Sequence, residues 1–386
     1  MYPSISDLIY DLSGLHIPMG IQTFGFFMML AFLFAAYSSS IELKRKEKQG
    51  LLHPAKKKIL NGKPVSNPDI VMNALWGFIA GYKLLYVVLN YTACSNDPQG
   101  MIFSPAGNLA GGVAGAIIAA YLKYREQARN KGRNPEWAEE EMHPYQLTGN
   151  IAVIAALSGI IGAKLFHNLE NLNEFMSDPL GALLSFSGLT FYGGLIMASV
   201  AVLYYTRKNN IPSLHMVDAA APGLMLAYGI GRIGCQLAGD GDWGINNVLP
   251  KPSWMSFLPD WVWAFRYPHN VISEGIPVPG CEGKHCMMLE HPVFPTPLYE
   301  SVACILLFFL LWSLRKKINT PGVLFCVYLM LNGAERFLIE KIRINNVYHL
   351  GSMQVTQAEI ISSLLLIAGA AGTWYFMAGA RRKAQL

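Results

Sequence analysis

The feature that most constrains this sequence is a series of apolar runs, each long enough to cross a lipid bilayer as a helix of about 20 residues. We predict helices near residues 21–40, 70–92, 105–123, 149–167, 188–206, 216–238, 297–314, 321–340 and 356–379. Only 14% of the residues are charged, against about 25% in a typical soluble domain. The sequence therefore predicts an all-α polytopic membrane protein, one membrane domain over residues 1–386 with about nine transmembrane helices.

The basic residues fall on one side of this arrangement. Lysine and arginine cluster after the first, third, fifth, seventh and ninth helices, and they are absent from the loops 1–20, 93–104 and 168–187. Because basic loops stay in the cytosol, the amino terminus is predicted outside and the carboxyl terminus in the cytosol. By the same rule, residues 239–295 form an extracytoplasmic loop region, and the polar segment 126–148 is expected to be a cytosolic loop or surface helix.

The cysteines divide between the helices and the loops. Cys235, Cys304 and Cys326 fall within predicted helices, where a free thiol behaves as a small apolar group. Cys281 and Cys286 fall in the outer loop region, where an oxidising compartment favours a disulfide. A metal site that uses His285 as a third ligand is the alternative.

Two segments of the chain resemble each other at a shift of 81 to 82 residues. Gly81-Tyr82-Lys83-Leu84 aligns with Gly162-Ala163-Lys164-Leu165, and further glycines align after them. Membrane helices are all rich in Gly and Leu, which makes weak self-similarity common. The two lysines favour a real duplication, because charge inside a membrane span is rare. We therefore predict a tandem helical-hairpin repeat over residues 70–125 and 149–208.

Charged residues inside the later helices predict an anion site. Arg232 ends the sixth predicted helix and is followed by Asp240 and Asp242 in a glycine-rich turn. An arginine at that depth needs an anionic partner, so either a salt bridge to one of these aspartates or a bound ligand is expected, and the two are compatible. Glu300, one turn inside the seventh helix, has the complementary need for an arginine.

The eighth predicted helix carries a second basic group. Arg336, Glu340 and Arg343 are spaced i, i+4 and i+7, which places them on one helix face. Two arginines around a glutamate suit a phosphate site, because the carboxylate positions one guanidinium group and both can bind pairs of oxygen atoms. The alternative is a helix end whose long side chains reach the aqueous interface.

These motifs, taken in order, resemble those of the prolipoprotein diacylglyceryl transferase family. The resemblance rests on Gly231-Arg232-Ile233-Gly234 with its acidic turn and on four other segments: Gly162-Ala163-Lys164-Leu165, Gly188 to Gly194, Pro295-Thr296 with Leu298-Tyr299-Glu300, and Arg336-Phe337 with Glu340 and Arg343. The family has seven helices and the same sidedness, so the duplicated hairpin identifies a divergent member with an extra helical hairpin.

The chain departs from the family pattern at several positions. Tyr192 stands where the family has a histidine, and Cys235 stands where it has an asparagine. Phe294 and Pro297 replace another histidine and a glutamine, and Phe24 replaces a tyrosine. The expected phosphate-binding arginines match the family, whereas the expected proton acceptor does not.

The resemblance implies transfer of the diacylglyceryl group of phosphatidylglycerol to the lipobox cysteine thiol of prolipoproteins in the bacterial inner membrane, with release of glycerol phosphate. The implied catalytic residues are Arg232, Arg336, Tyr192, Asp240 and Asp242. The implied substrate-binding residues are Lys164, Gly193, Gly194, Gly231, Gly234, Glu300, Glu340 and Arg343. The expected partners are phosphatidylglycerol, the prolipoprotein signal peptide and membrane lipid; no cofactor, metal or nucleic acid is expected, since no P-loop or dinucleotide motif is present.

Three other functions remain open on the sequence. A family member that has lost activity and only binds lipid would fit the Tyr192 and Cys235 replacements. A lipid or anion transporter would fit the internal repeat and the buried charges. A related enzyme acting on another head group or acceptor would keep the same arginines. For the loop region 239–295, guidance of the precursor peptide and a simple interfacial cap are equally compatible with its aromatic residues.

Overall fold

The chain is mainly helical in a computed structural model that describes residues 1–15, 21–61, 66–91, 104–130, 136–185, 188, 190–345, 347–350 and 353–384. Long helices lie on each of the nine predicted segments. They are α2 (Thr23–Lys48), α3 (Asn67–Leu89), α4 (Leu109–Asn130), α5 (Thr148–Glu170), α8 (Phe191–Lys208), α9 (Ser213–Ala238), α10 (Thr296–Leu314), α11 (Val323–Ile339) and α12 (Gln357–Ala384). Within the described residues, five of these helices, α2, α3, α5, α10 and α12, are long and apolar enough to cross a membrane.

Shorter elements connect the long helices. They are α1 (Ile5–Ser13), α6 (Leu172–Ser177), α7 (Pro179–Leu184) and the strands β1 (Ala55–Asn61), β2 (Glu136–Met142), β3 (Ile276–Pro277), β4 (Met287–Met288), β5 (Val347–Leu350) and β6 (Met353–Thr356). Strands pair antiparallel as β1 with β2, β3 with β4 and β5 with β6. The expectation of a loop or surface helix over 126–148 is wrong, because 126–130 continue α4 and β2 pairs with β1.

The register of β1 and β2 explains why this pairing forms. Lys56 lies opposite Glu141, Lys57 opposite Glu140 and Lys58 opposite Glu139. Cross-strand pairs of opposite charge stabilise a sheet by up to about 1 kcal/mol each. Among the described side chains, Nζ of Lys56 lies 3.9 Å from a carboxylate oxygen of Glu139, more than 80 residues away in the chain.

The chain forms two compact units, which we describe separately. Unit 1 contains Met1–His53, Pro144–Gly159 and Met197–Leu386, and unit 2 contains Pro54–His143 and Ile160–Ile196. In unit 1, α9 packs against α2, α10 and α11, and α11 packs against α12. Buried Met225, Cys304, Phe308, Leu311 and Leu324 form the core where α9, α10 and α11 meet.

Buried ion pairs join the basic helix ends of unit 1. Glu42 of α2 is fully buried, and its Oε2 lies 2.9 Å from Nε of both Arg45 and Arg315. Asp218 of α9 accepts backbone hydrogen bonds from Gly322 and Phe325 at the start of α11, at 2.8 and 2.9 Å. Two of the basic residues that predicted sidedness thus also fix the ends of α2 and α10.

In unit 2, α3 and α4 form a hairpin whose backbones touch. A Cβ added at Gly81 would lie 2.1 Å from the carbonyl oxygen of Gly111, and one at Gly77 would lie 2.4 Å from that of Gly115. Small residues at such positions let membrane helices approach closely. Lys83 donates hydrogen bonds to the carbonyl oxygens of Ser104 and, at 2.8 Å, Ala106.

The start of α8 meets the end of α5 through corresponding contacts. A Cβ added at Gly193 would lie 2.7 Å from the carbonyl oxygen of Gly162. Lys164 donates a hydrogen bond of 2.7 Å to Oγ of Ser185. The backbone bond from Thr190 to Ala163, 3.1 Å, has its counterpart in the bond from Asn108 to Tyr82, 2.9 Å.

The loop region 239–295 folds around a small core of its own. The described disulfide joins Cys281 and Cys286, with 5.6 Å between their Cα atoms, which confirms the favoured pairing. Trp243, Tyr267, Leu289 and Val293 pack together beside it. Tyr267, one of the aromatic residues of this loop region, is fully buried.

Candidate functional site

Six charged side chains of unit 1 meet where α9, α10 and α11 end or begin. This arginine cluster comprises Arg232, Asp242, Glu300, Arg336, Glu340 and Arg343. Arg232 comes from the last turns of α9 and Asp242 from the turn that follows. Glu300 stands in the first turns of α10, and the other three residues lie at and beyond the end of α11. The expected gathering of these six side chains is present.

Glu300 is the centre of the cluster and is fully buried. Its Oε2 lies 2.9 Å from Nε of Arg232, and its Oε1 lies 3.1 Å from Nη1 of Arg336. Nη1 of Arg343 lies 3.3 Å from both oxygens. The hydroxyl of Tyr228 donates a further hydrogen bond of 3.2 Å to Oε1. One carboxylate therefore orients three guanidinium groups.

Asp242 bridges two of the same arginines. One oxygen contacts Nη1 of Arg232, and the other lies 2.7 Å from Nη2 of Arg343. The salt bridge expected between Arg232 and one of the two aspartates thus forms with Asp242. Burial raises the pKa of Asp242, but Arg232 and Arg343 outweigh this effect and hold it below the ordinary value.

The route by which Arg343 reaches the cluster differs from the expected one. Arg336 and Glu340 form the predicted i, i+4 pair at 2.9 Å. The α-helix ends at Ile339, however, and Arg343 has an extended backbone with φ −94° and ψ 156° after a 3₁₀ turn. The prediction of one helix face for all three residues is therefore wrong. Arg343 is placed by a backbone bridge to Gly244 instead.

Asp240 and Cys235 flank the cluster. The two carboxylates of Asp240 and Asp242 and the thiol of Cys235 place ligand atoms within 4.8 Å of one another, which is a set that metal ions can use. Asp242 already bridges two guanidinium groups, so its charge is neutralised without a cation. Burial raises the pKa of Asp240, which makes it the more readily protonated of the two aspartates.

Of the two glycines that flank Arg232 in the signature, Gly234 serves helix packing. A Cβ added at Gly234 would lie 2.9 Å from Cβ of Phe27 on α2. At Gly231 the nearest atom is Sδ of Met28, at an ordinary contact distance of 3.6 Å. Gly234 thus lets α9 pack closely against α2, two residues after Arg232.

The remaining predicted site residues belong to unit 2. Tyr192 is half-buried and packs edge-on against Phe191, with ring centroids 5.6 Å apart. Gly193 is buried beside Phe166, and Gly194 donates its backbone N–H to Thr190. Lys164 is 9% exposed and lines a cavity of about 200 Å³. These four residues, the unit 2 group, all belong to unit 2, whereas the arginine cluster belongs to unit 1.

Sequence reasoning missed three residues beside these groups. Tyr228 lies one turn before Arg232 on α9, and the guanidinium carbon of Arg232 lies 5.1 Å from the centre of its ring. His167 and Asn168 line the cavity around Lys164. The i−4 spacing of Tyr228 from Arg232 was a usable signal, because residues at that spacing share a helix face.

Comparison with known proteins identifies the family of this chain. A family model described as prolipoprotein diacylglyceryl transferase matches residues 113–375, well over half of the chain. A Dehalococcoides mccartyi protein named phosphatidylglycerol–prolipoprotein diacylglyceryl transferase is 29% identical over 227 residues, which cover 58% of this chain and 74% of that protein.

Two further relatives carry the same name. The Corynebacterium glutamicum protein is 28% identical over 265 residues, covering 67% of this chain and 74% of its own length. The Clostridium tetani protein is 29% identical over 238 residues, covering 60% of this chain and 78% of its own length. The matched region contains the whole arginine cluster. On this match, the chain belongs to the prolipoprotein diacylglyceryl transferase family.

Proposed function

We propose that this chain transfers the diacylglyceryl group of phosphatidylglycerol to the lipobox cysteine of prolipoproteins and releases glycerol phosphate. The names of its relatives supply the substrate class. The observation that carries the proposal to this chain is the convergence of Arg232, Arg336 and Arg343 on Glu300. Such an arrangement suits a phosphate group that must leave with its bonding electrons.

The chemistry explains why three arginines serve this reaction. The thiolate of the acceptor attacks the glyceryl carbon that bears the phosphate, and the departing phosphate oxygen gains negative charge. Guanidinium groups held in advance stabilise that charge, because they need no reorganisation during the reaction. Arg232 and Arg336, with side chains 16% and 23% exposed, are the partly accessible members and are proposed to contact the phosphate.

The more buried members hold that geometry. Arg343 is 8% exposed, and the side chains of Glu300 and Glu340 are fully buried. We assign them to orienting Arg232 and Arg336 and to shaping the pocket. Asp242, whose side chain is 36% exposed, bridges Arg232 and Arg343. We propose that a phosphate group of the substrate can bind the same guanidinium groups at this position.

The unit 2 group is assigned to substrate binding. Tyr192 stands where the family has a histidine, and a phenol with an ordinary pKa of about 10 is a weak base at neutral pH. We therefore propose that Tyr192 donates a hydrogen bond to the substrate. We assign Lys164, Gly193 and Gly194 to lipid binding as well, as the family resemblance implies.

We further propose nine membrane crossings, with the amino terminus outside and the carboxyl terminus in the cytosol of a bacterial inner membrane. Nine long helices and the one-sided distribution of lysine and arginine support this topology. The disulfide between Cys281 and Cys286 supports an oxidising side for the loop region 239–295.

The extra hairpin is proposed to be a tandem duplication over residues 70–125 and 149–208. Its support is a set of contacts that recur 81 or 82 residues apart. Gly81 meets Gly111 as Gly162 meets Gly193, and Lys83 bonds to Ser104 as Lys164 bonds to Ser185. Unrelated helical hairpins would have no reason to share both the glycine contact and the lysine contact.

The test is a transfer assay with purified protein in nanodiscs, phosphatidylglycerol and a lipobox peptide that contains one cysteine. Mass spectrometry follows the diacylglyceryl mass gain on the peptide, and glycerol phosphate is measured in parallel. We expect transfer by the wild type and its loss in Arg232→Ala and Arg336→Ala. Arg381→Ala, an exposed arginine at the end of α12, is the matched control and should retain activity.

The outcomes separate the alternatives. Transfer from phosphatidylethanolamine instead of phosphatidylglycerol would identify an enzyme for another head group. If the wild type binds phosphatidylglycerol but transfers nothing to any lipobox peptide, the chain is a lipid-binding member of the family. Movement of labelled lipid across the bilayer in the same nanodisc-derived vesicles, without transfer, would replace the enzyme proposal with a transporter.

A further inference from the structure

An apolar groove lies between α10 and α11 in unit 1. Its volume is about 460 Å³. Tyr299, Leu306, Leu331 and Leu338 are among its lining residues. Among the described residues that line it, Glu335 alone is charged. A carboxyl group in such a wall calls for a specific explanation, because burying a polar group without a partner is costly.

Glu335 and Glu340 each have a buried Oε2 without a hydrogen-bond partner among the described residues, but Glu340 forms an ion pair with Arg336 at 2.9 Å. Glu335 itself is only 9% exposed. Glu300, by contrast, pairs with three arginines, and Asp242 pairs with two. Leaving a buried acceptor unpaired is costly, and such a group in a folded protein calls for an explanation.

The position of Glu335 connects the groove to the arginine cluster. It directly precedes Arg336 on α11 and forms part of the groove wall. Six charged or titratable groups interact electrostatically with Glu335. They are Tyr228 and Arg232 of α9, Glu300 and Cys304 of α10, Arg336 of α11 and, beyond the end of α11, Arg343.

The proposed reaction lacks a proton acceptor at the position where the family carries a histidine. A thiol with an ordinary pKa of about 8.5 must lose its proton before it can attack. Asp242 is engaged by two arginines, and Glu300 by three, so neither has an oxygen free to receive that proton. Oε2 of Glu335 has no hydrogen-bond partner among the described residues, and Glu335 forms part of the groove wall.

We propose that Glu335 is the general base of the transfer and that the groove admits the acceptor cysteine. This inference rests on the proposed function. Oε2 of Glu335 takes the thiol proton, and the sulfur forms a bond to the glyceryl carbon that bears the phosphate. The bond from that carbon to the phosphate oxygen breaks, its electron pair stays on the oxygen, and the arginine cluster holds the product. The proton then passes from Glu335 to the glycerol phosphate that leaves.

The test compares Glu335→Gln with the wild type in the nanodisc assay. Loss of a general base slows turnover by about 10²- to 10⁴-fold, so a decrease of that size is expected in kcat with little change in KM for the lipid. The rate of the variant should also keep rising with pH up to the ordinary thiol pKa of about 8.5, whereas the wild-type rate levels off earlier. Glu126→Gln, an exposed glutamate on α4, is the control.

A selenocysteine peptide separates a base from a structural residue. A selenol is already ionised at neutral pH, so it needs no base. With this acceptor, Glu335→Gln should recover to within about tenfold of the wild type, because only proton removal was lost. The melting temperature of the variant should equal or exceed that of the wild type, since the amide replaces an unpaired buried acid.

Each contrary result has a definite meaning. Undiminished turnover of Glu335→Gln with the cysteine peptide overturns the assignment. So does an equal loss with cysteine and selenocysteine, which indicates a structural role, and so does a groove that photo-crosslinks only to acyl chains of the lipid. If the wild type transfers to neither peptide while remaining folded, the proposed function itself fails and this inference falls with it.

Discussion

Arg343 contacts both carboxylate oxygens of Glu300 through a single nitrogen, Nη1, at 3.3 Å, although 43 residues separate the two in the chain. Arg232 and Arg336 contact the same carboxylate from α9 and α11. A buried charge is tolerated when opposite charges surround it. Loss of the central partner then leaves the surrounding charges buried without compensation. Glu300 is therefore the position at which the whole cluster can be tested.

Glu300→Gln should destabilise the protein more than any exposed charge removal. The amide would leave three guanidinium groups without their shared carboxylate, at a cost of about 3–5 kcal/mol in the free energy of unfolding. Reversible unfolding in mixed micelles measures this change. Transfer activity should fall in parallel, because Arg232 and Arg336 lose their orientation.

The matched control is Asp260→Asn, which removes a 96% exposed carboxylate that pairs with Lys251 at 3.0 Å. Exposed pairs contribute less than about 1 kcal/mol, so this variant should be nearly neutral. Equal effects of the two substitutions would contradict the central role of Glu300.

The bridge through Asp242 predicts a dependence of stability on pH. Its pKa is held below the ordinary value of 3.8, since Arg232 and Arg343 outweigh the effect of burial. A depressed pKa in the folded state contributes stability above the unfolded-state pKa, and this contribution disappears as the pH falls through the folded-state pKa. The wild type should therefore exceed Asp242→Asn in melting temperature near neutral pH.

That difference should shrink as the pH is lowered below about 4, where the unfolded-state carboxyl of an aspartate becomes protonated. Thermal unfolding in nanodiscs between neutral and acidic pH measures it. Serial measurements on Asp240→Asn provide the contrast, because burial raises the pKa of Asp240. A constant difference between wild type and Asp242→Asn at every pH would show that Asp242 does not carry the bridge.

Much of this architecture was predictable, because the sequence features that specify it either are local or avoid a large free-energy cost. Apolar runs predicted the segments on which the long helices of the described residues lie, and five of these helices are long and apolar enough to cross a membrane. The pairing of Arg232 with an aspartate was also expected, because a guanidinium group in a membrane protein requires a nearby anion. The sequence did not decide whether Asp240 or Asp242 is this partner. The geometry of the turn after α9 decides in favour of Asp242.

The rest depended on contacts that sequence spacing does not contain. Arg343 was expected on the helix face of Arg336, but the helix ends at Ile339 and a bridge to Gly244 redirects the chain. The pairing of β1 with β2 joins segments separated by a whole hairpin. Glu335 drew no attention beside Arg336, because only the packing of α10 and α11 shows that its carboxyl group is buried and unpaired.

The repeated glycine contacts predict matched effects in the two hairpins. A Cβ at Gly111 would lie 2.5 Å from the carbonyl oxygen of Gly81, and one at Gly193 would lie 2.4 Å from Cβ of Phe166. Gly111→Ala and Gly193→Ala should each destabilise the protein by about 1–3 kcal/mol, because the helices must separate. Gly149→Ala is the control, with no atom within 4 Å of the added Cβ.

Thermal melting and transfer activity together decide this prediction. If Gly111→Ala is neutral while Gly193→Ala loses activity without loss of stability, then Gly193 serves the approach of substrate instead of helix packing. The duplication would then be limited to sequence, and the two hairpins would have diverged in how their helices meet.

The proposed sidedness predicts which positions a membrane-impermeant maleimide can reach. Glu290 and Lys317 are both exposed, the first in the loop region 239–295 and the second after α10. In a Cys94→Ser background, the remaining cysteines are either buried or joined in a disulfide. Cysteine placed by Glu290→Cys should react in intact cells, whereas Lys317→Cys should react only after the membrane is opened. Since α10 separates the two positions, labelling of both in intact cells would remove this helix from the membrane and would require a different orientation for the arginine cluster.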